Sequence, residues 1–252
     1  MRTLTSAKNP LLKEVRKAVS RGALTASGFA VAEGFHLLDE ALQSHAEICE
    51  ILASESAAPK VERRTNSCVI LPDPLFREIA ATETSQGVVT LFRPRTWTLP
   101  DLLNPQPSLL LILDGIQDPG NAGAILRAAE AFSATGVLFA KGSVSPYNPK
   151  ALRGSAGSIF RIPVLTGLEP SEAISLLDGL PLYAALPGAG LSPSQARLMT
   201  SCGLVLGSEG RGVGDIFRHA ATPLTIPTQS VESLNVAMAA TILVYEARRQ
   251  RT

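Results

Sequence analysis

The chain is poor in the residues that build metal sites and disulfide frameworks. It has three cysteines and three histidines among 252 residues. Cys49, Cys68 and Cys202 show no C-x-x-C spacing, and His36, His45 and His219 stand alone without an i, i+4 partner. Neither a disulfide scaffold nor a metal site is expected, and the cysteines read as buried apolar fillers. No apolar span is long enough to cross a bilayer, and no apolar run of signal-peptide type follows the basic amino end. These absences argue against a membrane protein and for a cytoplasmic one.

Two common ligand motifs are also missing. Without G-x-x-x-x-G-K-[ST] there is no phosphate-gripping P-loop, and without G-x-G-x-x-G there is no dinucleotide fingerprint. The hydrolase elbow G-x-S-x-G is approached twice and met neither time. Arg153 replaces its first glycine in RGSAG, and Leu206 does so in LGSEG. A large excess of one charge is lacking too, since the net charge is only +1. Its distribution says more: Arg2, Lys8, Lys13, Arg16, Lys17 and Arg21 face the single acid Glu14, and the chain ends with Arg248, Arg249 and Arg251. These cations read either as solvated helix ends or as groups that neutralise phosphates.

What is present is an apolar content of 45%, enough for a sizeable core. Residues 92–107 carry four prolines and break all periodicity, which marks a linker. The expected division is residues 1–95, a proline-rich linker over 96–107, and residues 108–252. The first part predicts helices near 8–20, 34–43 and 73–81, with strands in FAVAE, EICEILA, SCVIL and GVVTLF, so a small α/β domain. The second alternates LLLILD, GVLFA, RIPVL, PLYAAL, GLVLG and PLTI with helices near 121–133, 149–158, 170–178 and 213–219 and a last helix at the end. That alternation predicts an α/β fold with a mostly parallel sheet covered on both faces.

Three polar, glycine-rich interruptions fall after strands or at helix starts, where α/β sheets place ligands. In LDGIQDPGNAGAILRAAEAF, Asn121 sits where a helix should begin and Arg127 follows amid alanines. Taken singly, Asn121 reads first as a helix cap and Arg127 as a surface cation. In LVLGSEGRGVG, four glycines surround Glu209, and Gly207 allows close approach of a ligand. In IPTQSVESLNV, Glu232, Ser233 and Asn235 open a segment that is apolar on nearly every side from Leu234 to Tyr245 and so reads as a helix buried all round. Polar side chains at the start of such a helix need partners.

The elements N-x-G-x-x-x-R, L-G-x-E-G and S-L-N, in this order and spacing, resemble the signature motifs of the SpoU/TrmH family of RNA 2′-O-ribose methyltransferases, part of the SPOUT superfamily. The resemblance covers residues 109–246. SAKNPLLKEVRKA, VAEGFHLLDEAL and TETSQGVV resemble the ribosomal-protein-like RNA-binding domain that precedes the catalytic domain in many members.

The resemblance implies a SPOUT domain with a deep trefoil knot, S-adenosylmethionine as cofactor, a homodimer without metal or membrane attachment, and RNA as partner, with ribosomal RNA favoured over transfer RNA. It assigns Asn121, Arg127, Glu209, Ser233 and Asn235 to catalysis and Leu206, Gly207, Ile226, Pro227 and Leu234 to the cofactor. Lys8, Arg16 and Lys17 become RNA contacts. A guanidinium offers no proton acceptor, so Arg127 is expected to clamp an RNA phosphate and stabilise the developing alkoxide rather than act as a base. One departure stands out: only Thr228, Gln229 and Ser230 separate Ile-Pro from Val-Glu-Ser-Leu-Asn, where many members have four residues. The rival readings are an RNA-binding or ribosome-assembly protein that keeps this fold without methylating, and a nucleotide-binding enzyme using Gly207 to Gly214 as a phosphate loop.

Overall fold

The computed structural model describes residues 2–188 and 190–252. In chain order the first elements are β1 (Arg2–Thr3), α1 (Pro10–Arg21), β2 (Ala30–Glu33), α2 (Phe35–Gln43) and β3 (Ile48–Ser54). Next come α3 (Ala58–Glu62), β4 (Val69–Leu71), α4 (Asp73–Arg77), β5 (Val88–Phe92) and α5 (Leu99–Leu103). Then follow β6 (Leu109–Asp114), α6 (Pro119–Ala131), β7 (Gly136–Ala140), α7 (Pro149–Ser155), β8 (Val164–Leu168) and α8 (Pro170–Leu176). The last are β9 (Leu182–Ala185), β10 (Cys202–Gly207), α9 (Asp215–Ala220), β11 (Thr222–Leu224) and α10 (Val236–Gln250).

The chain forms two compact units. One comprises the chain up to Thr96 together with Ser145–Phe160, the other Trp97–Val144 with Arg161–Thr252. Residues 145–160, read from the sequence as part of the second half, thus pack with the first, where α7 lies against β2. The linker stretch also has structure. Thr98 and Asp101 form a capping box that starts α5, and α5 packs on β7 so closely that a Cβ on Gly136 would come within 2.4 Å of Leu102.

The first unit holds a mixed five-stranded sheet in the order β1-β4-β3-β5-β2. Asn9 caps α1 by accepting the Leu11 N–H at 2.9 Å, Pro10 fits the first turn, and Gly22 ends the helix at φ 62°. The stripe Leu12, Val15 and Ala18 is buried against the sheet. Arg16 is ion-paired with Glu78 and donates to the Ala7 carbonyl, so this expected RNA contact is committed inside the fold. Lys8, Lys13, Lys17 and Arg21 are exposed and make no side-chain hydrogen bond or ion pair among the described residues, the last three spaced to form one stripe along α1.

The second unit holds a fully parallel six-stranded sheet in the order β11-β9-β10-β6-β7-β8. Its central strand LLLILD is apolar up to its last residue, Asp114, because helices cover both faces of a parallel sheet. Cys68 and Cys202 are buried fillers, whereas Cys49 is exposed, against expectation.

The last helix differs from its expected form in two ways. It begins at Val236, with Asn235 in extended backbone as its cap, so Glu232 to Leu234 precede it as loop. Nor is it buried all round: Val236, Ala240, Leu243, Val244 and Ala247 face inward, but Met238, Ile242 and Tyr245 are 61%, 40% and 55% exposed. They form an apolar stripe at i, i+4 and i+7.

The carboxyl end of α10 is fastened by arginine. Arg251 donates to the carbonyls of Leu198 (2.8 Å), Pro107 (2.7 Å), Ser108 (3.0 Å) and Thr200 (2.7 Å), which makes it a structural clamp rather than a free cation for phosphate. Arg249 pairs with Glu246 in a two-pronged bond, and together with Gln250 it holds that carboxyl down to about 2. Arg251→Ala leaves several carbonyls without their donor and is expected to lower stability by about 2 to 3 kcal/mol in denaturant unfolding. A loss below about 0.5 kcal/mol, the level of an ordinary surface change, would contradict the clamp.

Candidate active site

The adjacent strands β11, β9, β10 and β6 all end at one edge of the parallel sheet, and the loops leaving them meet there. Gly207 and Asp114 are register partners at the ends of β10 and β6. Asp114 Oδ2 accepts the Gly214 N–H at 2.6 Å, which folds the loop 208–214 back over β6. The loop crosses itself tightly: a Cβ on Gly207 would lie 2.0 Å from the Gly212 carbonyl carbon. Glycine is therefore required at 207 by the chain's own backbone, a reason the sequence reading did not anticipate.

The folded loop carries Glu209 to two asparagines. Asn121 Nδ2 donates to Glu209 Oε1 at 2.5 Å, and Asn235 Nδ2 donates to the same oxygen at 3.0 Å and to Asn121 Oδ1 at 3.1 Å. Each asparagine is fixed in turn by a helix start. Asp118, not Asn121, caps α6, accepting the Asn121 N–H at 2.9 Å. Asn235 caps α10 through its Oδ1, which accepts the N–H groups of Ala237 (3.0 Å) and Met238 (3.3 Å). Asn235 thus spends its acceptor on the helix and its donor on the trio. The carboxylate is the natural acceptor for two converging amides, because an ionised Glu only accepts.

Asn121 and Glu209 border a cavity of about 230 Å³ that Asp118, Ser208, Arg211 and Val236 also line. A second, largely apolar cavity lies at the ends of β9 and β11. Leu186, Leu224, Ile226 and Leu234 form its apolar wall, and Thr228, Glu232 and Ser233 add polar groups. The shortened segment over 228–230 is part of this edge: Thr228 Oγ1 donates to the Val231 carbonyl at 2.9 Å, and Ser230 adopts φ 63°.

The expected residues therefore separate into groups. Asn121, Glu209 and Asn235 are brought together by hydrogen bonds, whereas Ser233 lines the apolar cavity. Arg127 lies on the exposed face of α6 with Ala124 and Ala131, makes no hydrogen bond or ion pair among the described residues, and lines neither cavity. Of the expected cofactor residues, Ile226 and Leu234 line the apolar cavity; Leu206 is buried in β10, Gly207 lies at the crossing, and Pro227 is exposed. Sequence reasoning missed Asp114, Asp118, Leu186 and Leu224. The position of each at a strand end or before a helix-opening Pro was the available signal. Among the described residues no cluster of three metal-ligating side chains occurs, and no helix is long and apolar enough to cross a membrane.

Comparison with known proteins was made on this framework. Residues 108–245 match the SpoU rRNA Methylase family, and residues 9–90 match the MRM3-like substrate binding domain. The 23S rRNA (guanosine(2553)-2′-O)-methyltransferase RlmP of Bacillus subtilis is 31% identical over 98% of this chain and 100% of its own. A crystal structure of an AdoMet-bound rRNA methyltransferase from Sinorhizobium meliloti superposes with a TM-score of 0.84, at 25% identity, over 98% of this chain and 97% of that one. Another, of an RNA 2′-O ribose methyltransferase, gives 0.79 at 30% identity over 99% of both chains.

Proposed function

The chain belongs to the SpoU rRNA Methylase family, and from that premise and the geometry of the site we propose that it methylates a ribose 2′-hydroxyl of ribosomal RNA with S-adenosylmethionine. The observation that carries the reading is the Asn121–Glu209–Asn235 trio at the same sheet edge as an apolar cavity with a polar rim.

That cavity fits the methyl donor by chemistry. Leu186, Leu224, Ile226 and Leu234 suit a flat apolar portion, Thr228 and Ser233 suit its polar ends, and the Glu232 carboxylate suits a cationic amino group. Leu206 and Gly207 at the end of β10, and Pro227 beside Ile226, add contacts to the donor from outside the cavity's own lining. When bound, the donor supplies a methyl group already activated on a sulfonium. What remains is to make a ribose hydroxyl nucleophilic. The trio orients it, the ribose oxygen takes the methyl as the carbon–sulfur bond breaks, and its proton passes to a phosphate oxygen or to water.

Arg127 supplies positive charge to the alkoxide and clamps an RNA phosphate, and it does so across a homodimer. The reason is its place on the outer face of α6, beside α10, whose exposed Met238, Ile242 and Tyr245 form an apolar stripe suited to pairing two copies. The first unit binds the RNA, with Lys8 and Lys17 among its contacts. Residues 108 onward carry the transfer chemistry, except that residues 145–160 go with RNA binding because they pack there. A ribosomal RNA substrate fits a cytoplasmic chain.

The expected result is transfer of radiolabel from methyl-labelled S-adenosylmethionine to ribosomal RNA lacking the modification. Binding of RNA with no transfer would instead support the ribosome-assembly reading.

A further inference from the structure

The cavity that Asn121 and Glu209 line must meet the negative charge of any nucleic-acid backbone that enters it. One cation lines it among the described residues, Arg211. The backbone of Arg211 is fixed: its N–H is donated to Ser208 Oγ at 3.3 Å, and the turn is closed by the Gly212 N–H on the Ser208 carbonyl at 2.8 Å. Gly212 adopts φ 68°, a conformation that lets this turn close so tightly. The Arg211 side chain, by contrast, is exposed and makes no hydrogen bond or ion pair among the described residues. A guanidinium held at the base, free at the tip and lining the same cavity as Asn121 and Glu209 is placed for an incoming anion rather than for a role in folding.

We propose that Arg211 binds a phosphate of the substrate RNA next to the ribose held by Asn121, Glu209 and Asn235. The inference rests on the methyltransferase reading above and adds to it a second cation. A ribose within RNA carries phosphates on both its 5′ and 3′ sides, so a chain that grips the target nucleotide has two to satisfy. Arg211 takes one from within its own chain, and Arg127 takes the other from the second copy. The planar fork of Arg211 matches two phosphate oxygens at once, which orients the backbone as well as attracting it. Without Arg211, no cation among the described residues lines the cavity to meet that phosphate.

The test compares Arg211→Ala and Arg211→Lys with the full wild-type chain. For Arg211→Ala, KM for ribosomal RNA should rise about tenfold, with a smaller fall in kcat, as expected for the loss of one charge-assisted contact. The slope of log affinity for ribosomal RNA against log salt should become shallower by about 0.7, the value of one lost single-strand phosphate contact. Affinity for S-adenosylmethionine in calorimetry should stay within about twofold, a change worth less than half a kcal/mol. Arg211→Lys should recover the salt slope but only part of the affinity, since a point charge replaces the fork. An unchanged salt slope and KM in Arg211→Ala overturns the inference. So does a parallel loss of affinity for the methyl donor, which would assign Arg211 to the other cavity. The salt slope is read from binding alone, so it decides the role of Arg211 even if the wild-type chain transfers no methyl group, the result that would sink the methyltransferase reading itself.

Discussion

Asn235→Ser is expected to fold as stably as the wild type and to methylate RNA about a hundredfold more slowly. The two halves of this expectation come from two ends of one side chain. Oδ1 caps α10 by accepting the N–H groups of Ala237 and Met238, and serine is as good a cap as asparagine. Nδ2 binds Glu209 and Asn121 at 3.0 and 3.1 Å, and a serine offers a single O–H in place of two amide N–H groups, on a shorter side chain held at the start of α10 by its capping oxygen. The trio then loses its third corner, and a misplacement of about 1 Å at a reacting centre costs about a hundredfold in rate. Asn235→Ala removes both functions, so about 1 kcal/mol of stability should go with the activity. Asn235→Asp keeps the cap but sets a second carboxylate against Glu209, and should be at least as inactive as the serine variant. Thermal unfolding and single-turnover methyl transfer on all three variants separate the roles. Full activity in Asn235→Ser would reduce Asn235 to a helix cap.

Arg127→Ala should lower the rate of methyl transfer by about a hundred- to a thousandfold, the usual cost of removing one donor aimed at a developing oxyanion. Stability should hardly change, because the exposed side chain of Arg127 contacts no partner within the described residues. Arg127→Lys should recover little, since it keeps the charge but loses the two-pronged fit to phosphate. A lysine variant with full activity would contradict the clamp. The position of Arg127 outside both cavities adds a sharper test. If it acts on the site of a second copy, mixing Arg127→Ala chains with Asn235→Ser chains restores roughly a quarter of wild-type activity, since half of randomly paired dimers are mixed and each of these contains one complete site. No recovery in dimers that demonstrably exchange subunits would return Arg127 to its own chain.

Particular segments show what was legible in the sequence. The run LLLILD read as a strand of a parallel sheet because both its faces are covered, and the helix expected near 8–20 is α1, Pro10–Arg21. The start of α10 was misread because Leu234 continues the apolar pattern into the loop. Capping by Asn235 is a backbone event that hydropathy does not record. The exposure of Met238, Ile242 and Tyr245 was hidden for a related reason: the apolar pattern of a helix does not record which of its faces meets the core. Residues 145–160 read as a local strand-to-helix connection, and nothing local tells that α7 packs on β2 more than a hundred residues earlier.

The site was legible by composition and not by geometry. Asn121, Glu209 and Asn235 stood out within their glycine-rich interruptions, but their hydrogen bonds span 88 and 26 positions and depend on strand order. The same distance hid Asp114, whose bond to Gly214 spans 100 positions and folds the loop that delivers Glu209. Arg127 shows the converse. Its motif was clear, yet its side chain lies on an exposed face of α6 and makes no hydrogen bond or ion pair among the described residues.

The most direct test of the account is chemical analysis of the product. Ribosomal RNA from cells lacking the gene is incubated with the purified chain and methyl-labelled S-adenosylmethionine, then digested to nucleosides and separated. The account predicts that the label appears in a 2′-O-methylnucleoside, and that it falls about a hundredfold with Asn235→Ser. Label in a methylated base, or RNA that is bound but never labelled, would contradict it.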